Sequence, residues 1–256
     1  MSSRHFRVCA LRAIMSVAGC ALAIGFGTIV ASDADAAAAP PNWTGIWTRV
    51  GSLNFDPTTP GNKNEDFPYN AKYREFYDRI IAAEAKGLAI NDKSADCQPP
   101  GIVRMMAMVY PMEILQTPGQ FTIIAEWEGQ IRRIFTDGRP HPEDPDPTYN
   151  GHSIGRWEGE TLLVDTVGIL GNGIINDHGA PLGEQVHVTE KWWKEGPDTL
   201  KNEIAVESPD ALLRPIKAVK TFKRRTDIQI MEYICTQNNR NQTNADGVTG
   251  IELKKR

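Results

Sequence analysis

Cysteine and histidine are scarce: the chain of 256 residues has four of the first and five of the second. Their placement excludes the common metal motifs, since there is no His-x-His, no pair of histidines four apart and no cysteine pair at zinc-ligand spacing. No metal and no other cofactor is therefore expected. A phosphate loop and a dinucleotide fingerprint are missing too, which removes the familiar nucleotide chemistries. An excess of charge is also lacking. Lys and Arg number 28 against 32 Asp and Glu, for a formal net charge of −4, and no basic cluster stands out. That balance offers nucleic acid no electrostatic footprint, so none is expected as a partner.

What is present begins with the N-terminus. Arg4, Arg7 and Arg12 precede an uncharged run over 13–32, which ends in the small-residue site Ala34-Asp35-Ala36. A positive region, an apolar region and a small-residue exit together read as a cleavable signal peptide over 1–36. The alternative of a retained anchor is weakened by Gly19, Gly25 and Gly27 within the run. The expected location is periplasmic or secreted, with no membrane span after cleavage and a single domain over 37–256. Two cysteines remain, Cys97 and Cys235. In an oxidising compartment they are more readily a disulfide than free thiols, worth at most about 5 kcal/mol by chain entropy. A catalytic thiol would lack any local signature.

The mature stretch reads as mainly β. A first strand covers 42–50, and 51–68 is a polar loop rich in Pro, Gly and Asn. Over 70–86 the period changes to that of a helix, with Tyr73, Phe76, Tyr77, Ile80 and Ile81 on one face, Asn70 as cap and Gly87 as stop. From 112 to 235 a meander follows, with strands at 112–117, 120–127, 130–136, 152–157, 161–168, 186–193, 198–206, 216–223 and 228–235. Short strands with turn signals about every eight to twelve residues predict an antiparallel β-barrel of roughly eight to ten strands, with the helix outside it or plugging one end.

Two resemblances accompany this pattern. Asn42-Trp43-Thr44-Gly45-Ile46-Trp47 is similar to the Gly-x-Trp opening of lipocalins, which implies a lipocalin- or calycin-like barrel. More extensively, Pro99-Pro100-Gly101 with Arg104-Met105-Met106, the run from Arg132 through Asp137-Gly138-Arg139-Pro140-His141-Pro142, and Gly151-His152-Ser153-Ile154-Gly155-Arg156-Trp157-Glu158-Gly159 resemble a family of secreted bacterial proteins without an assigned activity. Thr161-Leu162-Leu163-Val164-Asp165-Thr166 and Asn238-Asn239-Arg240 belong to the same resemblance. That family often carries an aromatic residue where this chain has Ile169.

The densest polar cluster lies in the loop after the third meander strand: Asp137, Arg139 and His141, then Tyr149, and His152 where the next strand starts. A loop of about fifteen residues is long for a compact domain, and Pro140, Pro142, Pro145 and Pro147 stiffen it. Its bland reading is a solvated surface loop whose acids cap turns. If it is functional, His152 is the base, Arg139 holds a developing anion, His141 stands beside them, and Asp165 orients an imidazole, provided Asp165 faces the barrel interior. Strand alternation leaves that side undecided, because Leu162 and Val164 make the other face apolar too. Asp137, Tyr149, Arg156, Trp157, His178 and Glu190 complete the candidate binding residues. Glu190 shares a face with Val186 and Val188, which points to burial and away from the face of His187. Ser153 and His152 point to opposite faces of one strand and make a poor nucleophilic dyad. The expectation is an exported barrel that binds a small, partly apolar or aromatic molecule in a pocket and performs metal-free lyase, isomerase or hydrolase chemistry on it. A non-catalytic periplasmic binding protein is the alternative.

Overall fold

The computed structural model describes residues 39–51, 66–87, 93–171, 173–238, 242–243 and 249–250. The expected leader, and residues 52–65 of the polar loop, lie outside the described residues. Nine strands close into a barrel in chain order. They are β1 (Gly45–Val50), β2 (Met112–Thr117), β3 (Gln120–Ala125), β4 (Ile131–Phe135), β5 (His152–Glu158), β6 (Thr161–Val167), β7 (His187–Lys194), β8 (Thr199–Glu207) and β9 (Ile216–Arg225). Alternation decides which side chains enter. On β6, Leu162, Val164 and Thr166 are buried, so Leu163, Asp165 and Val167 look outward. On β7 the buried set is Val188, Glu190 and Trp192, and on β8 it is Leu200, Asn202, Ile204 and Val206.

One seam corrects the expectation of a wholly antiparallel barrel. β4 and β5 run parallel, joined only through Ile134↔Ser153 and Phe135↔Ile154. The Pro-rich loop returns the chain at the level where β4 ends, and β5 continues in the same direction. This stagger leaves the first half of β4 without a β5 neighbour and the second half of β5 without a β4 neighbour. Gly151, at φ +62°, makes the return: a Cβ there would lie 2.6 Å from the Val167 carbonyl oxygen and 2.8 Å from Ile169. Only glycine takes that backbone angle freely and leaves that space open.

A second correction concerns the C-terminal end. No strand forms over 228–235, because β9 pairs instead with β1, from Ile46↔Arg225 to Val50↔Thr221. Closure leaves β9 no free edge for another strand. Cys235 begins a short helix, and it is bonded to Cys97 with their Cα atoms 5.6 Å apart. The bridge ties the segment before β2 to the tail that follows the barrel.

The helix α1 (Ala71–Ala85) is capped by the Asn70 side chain, which accepts from the Tyr73 N–H. Tyr77 is its buried residue, while Phe76 is exposed. Its partners are loops: the Tyr73 hydroxyl donates to Asp210, and Asn176 donates to the Tyr77 hydroxyl. The helix therefore seats on the barrel end that carries the β6–β7 and β8–β9 connections.

The interior is filled. Trp43 meets Phe121, Phe121 meets Trp192 and Trp192 stacks on Phe222, with ring centroids 6.0, 6.3 and 5.7 Å apart. Beside this aromatic column lies a buried polar layer. The Arg132 guanidinium donates to Glu190 at 2.5 Å, to Ser153 at 3.2 Å and to Thr166 at 3.1 Å, and Asn202 donates to the other oxygen of Glu190 at 3.1 Å. The ligand-sized hollows described below lie on the outer wall.

Candidate functional site

Asp165 reaches the site from the outer face of β6, and its strand neighbour across β7 is Thr189. Two residues before Thr189, on the same face, stands His187. Its Nε2 lies 2.6 Å from an Asp165 carboxylate oxygen, while its Nδ1 lies 3.8 Å from Glu207. The same Asp165 oxygen is 3.7 Å from Nε2 of His141, which comes from the Pro-rich loop. The other nitrogen of His141 meets Nδ1 of His152, at the start of β5, at 2.8 Å. Three of the four histidines that follow residue 36 thus gather near one carboxylate, as two hydrogen-bonded pairs, Asp165–His187 and His141–His152, 3.7 Å apart at the His141 Nε2.

The His141–His152 contact constrains proton placement. Two imidazole nitrogens share a hydrogen bond only if one carries the proton and the other does not. Burial first, then the charges of His141 and Arg139, lower the pKa of His152 below the ordinary imidazole value. The lowered pKa favours the neutral form of His152, and which ring donates follows from their tautomers. Phe135 stacks on the His152 ring at 5.4 Å, and the Arg139 guanidinium lies over the Phe135 ring, 4.0 Å from its centroid. Asp137 holds Arg139 through its Nε and Nη2, which pulls the Asp137 carboxyl below its usual range. Arg139 is thus partly neutralised before it meets anything else.

Two hollows flank these pairs. One, of about 580 Å³, runs over the outer face of β5 to β9, with Leu163, Asp165, Thr189 and Ala205 along it and Arg139 and Arg156 at its rim. It exists because Thr189 and Ala205 are short among longer outward side chains. The other, of about 520 Å³, lies beside the unpaired half of β4 and is lined by Ile131, Phe135, Tyr149 and His152. Both sizes suit small-molecule ligands.

The remaining candidates separate from this cluster. Glu190 turns inward, as its strand parity predicts, and serves the buried layer with Arg132. Trp157 packs edge-on against Trp43 at 4.8 Å and belongs to the barrel filling. Arg156 pairs with Glu158 at 2.8 Å on the surface. His178 is bound by Glu84 of α1 at 2.8 Å and stands by Asp177 instead of joining the other histidines. The partner expected for Asp165 was an imidazole on the inside; the one observed is His187, outside. Parity held that signal, since an inward Glu190 puts His187 on the outer face. Ser153 sits in a Gly-x-Ser-x-Gly stretch, Gly151 to Gly155, the spacing of a hydrolase nucleophile elbow. Its hydroxyl is buried within a strand and bonded to Arg132 and Thr166, which is not the exposed strand-to-helix turn an elbow needs.

Among the described residues, no three His, Cys, Asp or Glu side chains are grouped to hold a metal ion, and no helix is long and apolar enough to cross a membrane. No family model matches the chain, and no curated protein matches it.

Proposed function

We propose that this protein binds a small, partly apolar molecule in the outer groove and performs metal-free acid–base chemistry on it. The observation that carries the reading is the hydrogen-bonded Asp165–His187 pair, with the bonded His141–His152 pair 3.7 Å away, beside a groove large enough for a substrate. Asp165 lines the groove, and it and its partner His187 are half-exposed, with side-chain exposures of 45% and 37%. A carboxylate that accepts from an imidazole fixes its tautomer and supports the imidazolium that forms when the ring takes a proton. His141 and His152 share a second hydrogen bond close by, which adds two more titratable rings to the same cluster. Elimination and isomerisation both need such groups, for removal of a proton at carbon and its delivery elsewhere. The Cys97–Cys235 bridge supports the oxidising, periplasmic or secreted compartment that the leader indicates.

The test is a ligand-detected NMR screen of small aromatic and aliphatic carbonyl compounds, followed by incubation of each hit in D2O. Deuterium entering the recovered compound, or its conversion, supports proton transfer. Asp165→Asn and His187→Gln should then slow it by about 10²-fold or more while binding persists. A compound held without exchange or conversion assigns the non-catalytic binding role instead.

A further inference from the structure

Rows of outward side chains cross strands β6 to β9 in register, and two of them line the groove. The first runs Asp165, Thr189, Ala205, Lys217, each opposite the next. The row beside it runs Leu163, Lys191, Glu203. Thr189 and Ala205 are short, so the first row is a trough with Asp165 at one end and Lys217 at the other, and all four residues line the same groove. Lys217 and Lys191 are exposed, and among the described residues no carboxylate is within ion-pairing reach of either. Glu203 is the acid nearest in register, directly across from Lys191. Lys191 rests toward Trp193, with its Nζ 5.7 Å from the ring centroid, which makes Lys217 the principal cation at the trough's end. The two guanidinium groups that line the groove are already matched, Arg139 by Asp137 and Arg156 by Glu158.

From these observations we infer that the groove takes an elongated monoanion, an aryl- or alkyl-carboxylate. Its carboxylate sits on Lys217, with Lys191 alongside, and its far end meets Asp165. The strand register acts as a ruler. Three strand spacings of about 4.8 Å separate the two ends. A lysine stem spans about 6 Å of that distance when it reaches back along the trough, which leaves roughly 8 Å between the ammonium and the Asp165 carboxylate. An anion with an apolar body of that length spans the trough, with Leu163 and Ala205 against its side. A much shorter acid reaches only one end. This inference rests on the groove being the substrate site, as proposed above.

Titration calorimetry with phenylacetate, 4-phenylbutyrate and 4-phenylbutyramide tests it on the purified chain. The expected result is that 4-phenylbutyrate binds at least tenfold more tightly than either of the others. Lys217→Gln should bring acid and amide to equal affinity, Lys191→Gln should lower the acid preference by a smaller factor, and Asp165→Asn should leave the preference for acid intact. Equal affinity for acid and amide in the wild type, or no loss in Lys217→Gln, overturns the inference. Tight phenylacetate binding overturns the ruler. Lysine-dependent binding without any proton exchange in D2O leaves the anion site standing and removes the acid–base reading, so the two fail separately.

Discussion

Replacing Glu190 with alanine provides a sharp test of what holds the barrel together. The Arg132 side chain is 1% exposed and that of Glu190 is fully buried. Glu190 accepts from Arg132 at 2.5 Å and from Asn202 at 3.1 Å, so its removal strips a buried guanidinium of its counter-charge and a buried amide of its acceptor. Ser153 and Thr166 remain beside Arg132, yet hydroxyls offset little of a full charge in a medium without water. Breaking a buried pair from one side costs about 3–5 kcal/mol. For a domain of this size each kcal/mol moves the melting temperature by about 2–4 °C, so a fall of roughly 6–20 °C is expected. Glu190→Gln keeps one acceptor and should lie between wild type and Glu190→Ala. The combination Arg132→Met with Glu190→Leu should cost less than the two single changes added, because it removes both charges together. The measurement is thermal unfolding followed by near-ultraviolet circular dichroism, where Trp192 and its neighbours report on the interior. A Glu190→Ala variant that melts within about 2 °C of wild type, or a double variant whose loss equals the sum, refutes the argument.

Protonation of His152 opposes folding, because its folded pKa lies below the unfolded value of about 6.5. Its contribution is fully present above that value and is lost as pH falls through the lowered one; an NMR titration should place its midpoint below the ordinary value, and Arg139→Gln should move it up. Gly151→Ala should destabilise by roughly 1–3 kcal/mol through its positive φ and its overlap with Val167 and Ile169, read as a drop in denaturation midpoint. Cys97→Ser should lower stability by up to about 5 kcal/mol, given a separation of 138 residues, and a reductant should then have no further effect on the melt.

The strands were legible because turn residues punctuate them and their apolar positions alternate. 112–117 matches β2 at both ends, and the other strands agree within a few residues. The parallel seam was hidden because a sequence marks a turn but not the direction in which the chain leaves a long loop. The segment 228–235 has strand composition and still forms none, since whether an edge is free depends on β1, far away in the chain. At the site, the density of polar groups in the Pro-rich loop pointed to His141, His152 and Arg139. The face of Asp165 needed the buried neighbours of β6, and its partner His187 needed the β6–β7 register. Neither is a property of a single segment.

Closure sets an order in time as well as a shape. Val50 waits for Thr221, and every strand between them has been made before that pair can form. At synthesis speeds of about 5–20 residues per second, roughly ten seconds or more pass between the two. Throughout that interval Trp47 has its β2 partner at most, and the barrel wall stays open along one side. Contacts so distant in sequence also make folding slow once the chain is complete, on the scale of milliseconds to seconds. The chain therefore lingers in an unclosed state, the state in which a leader at its N-terminus would have to be recognised and the whole chain threaded elsewhere before the ring shuts.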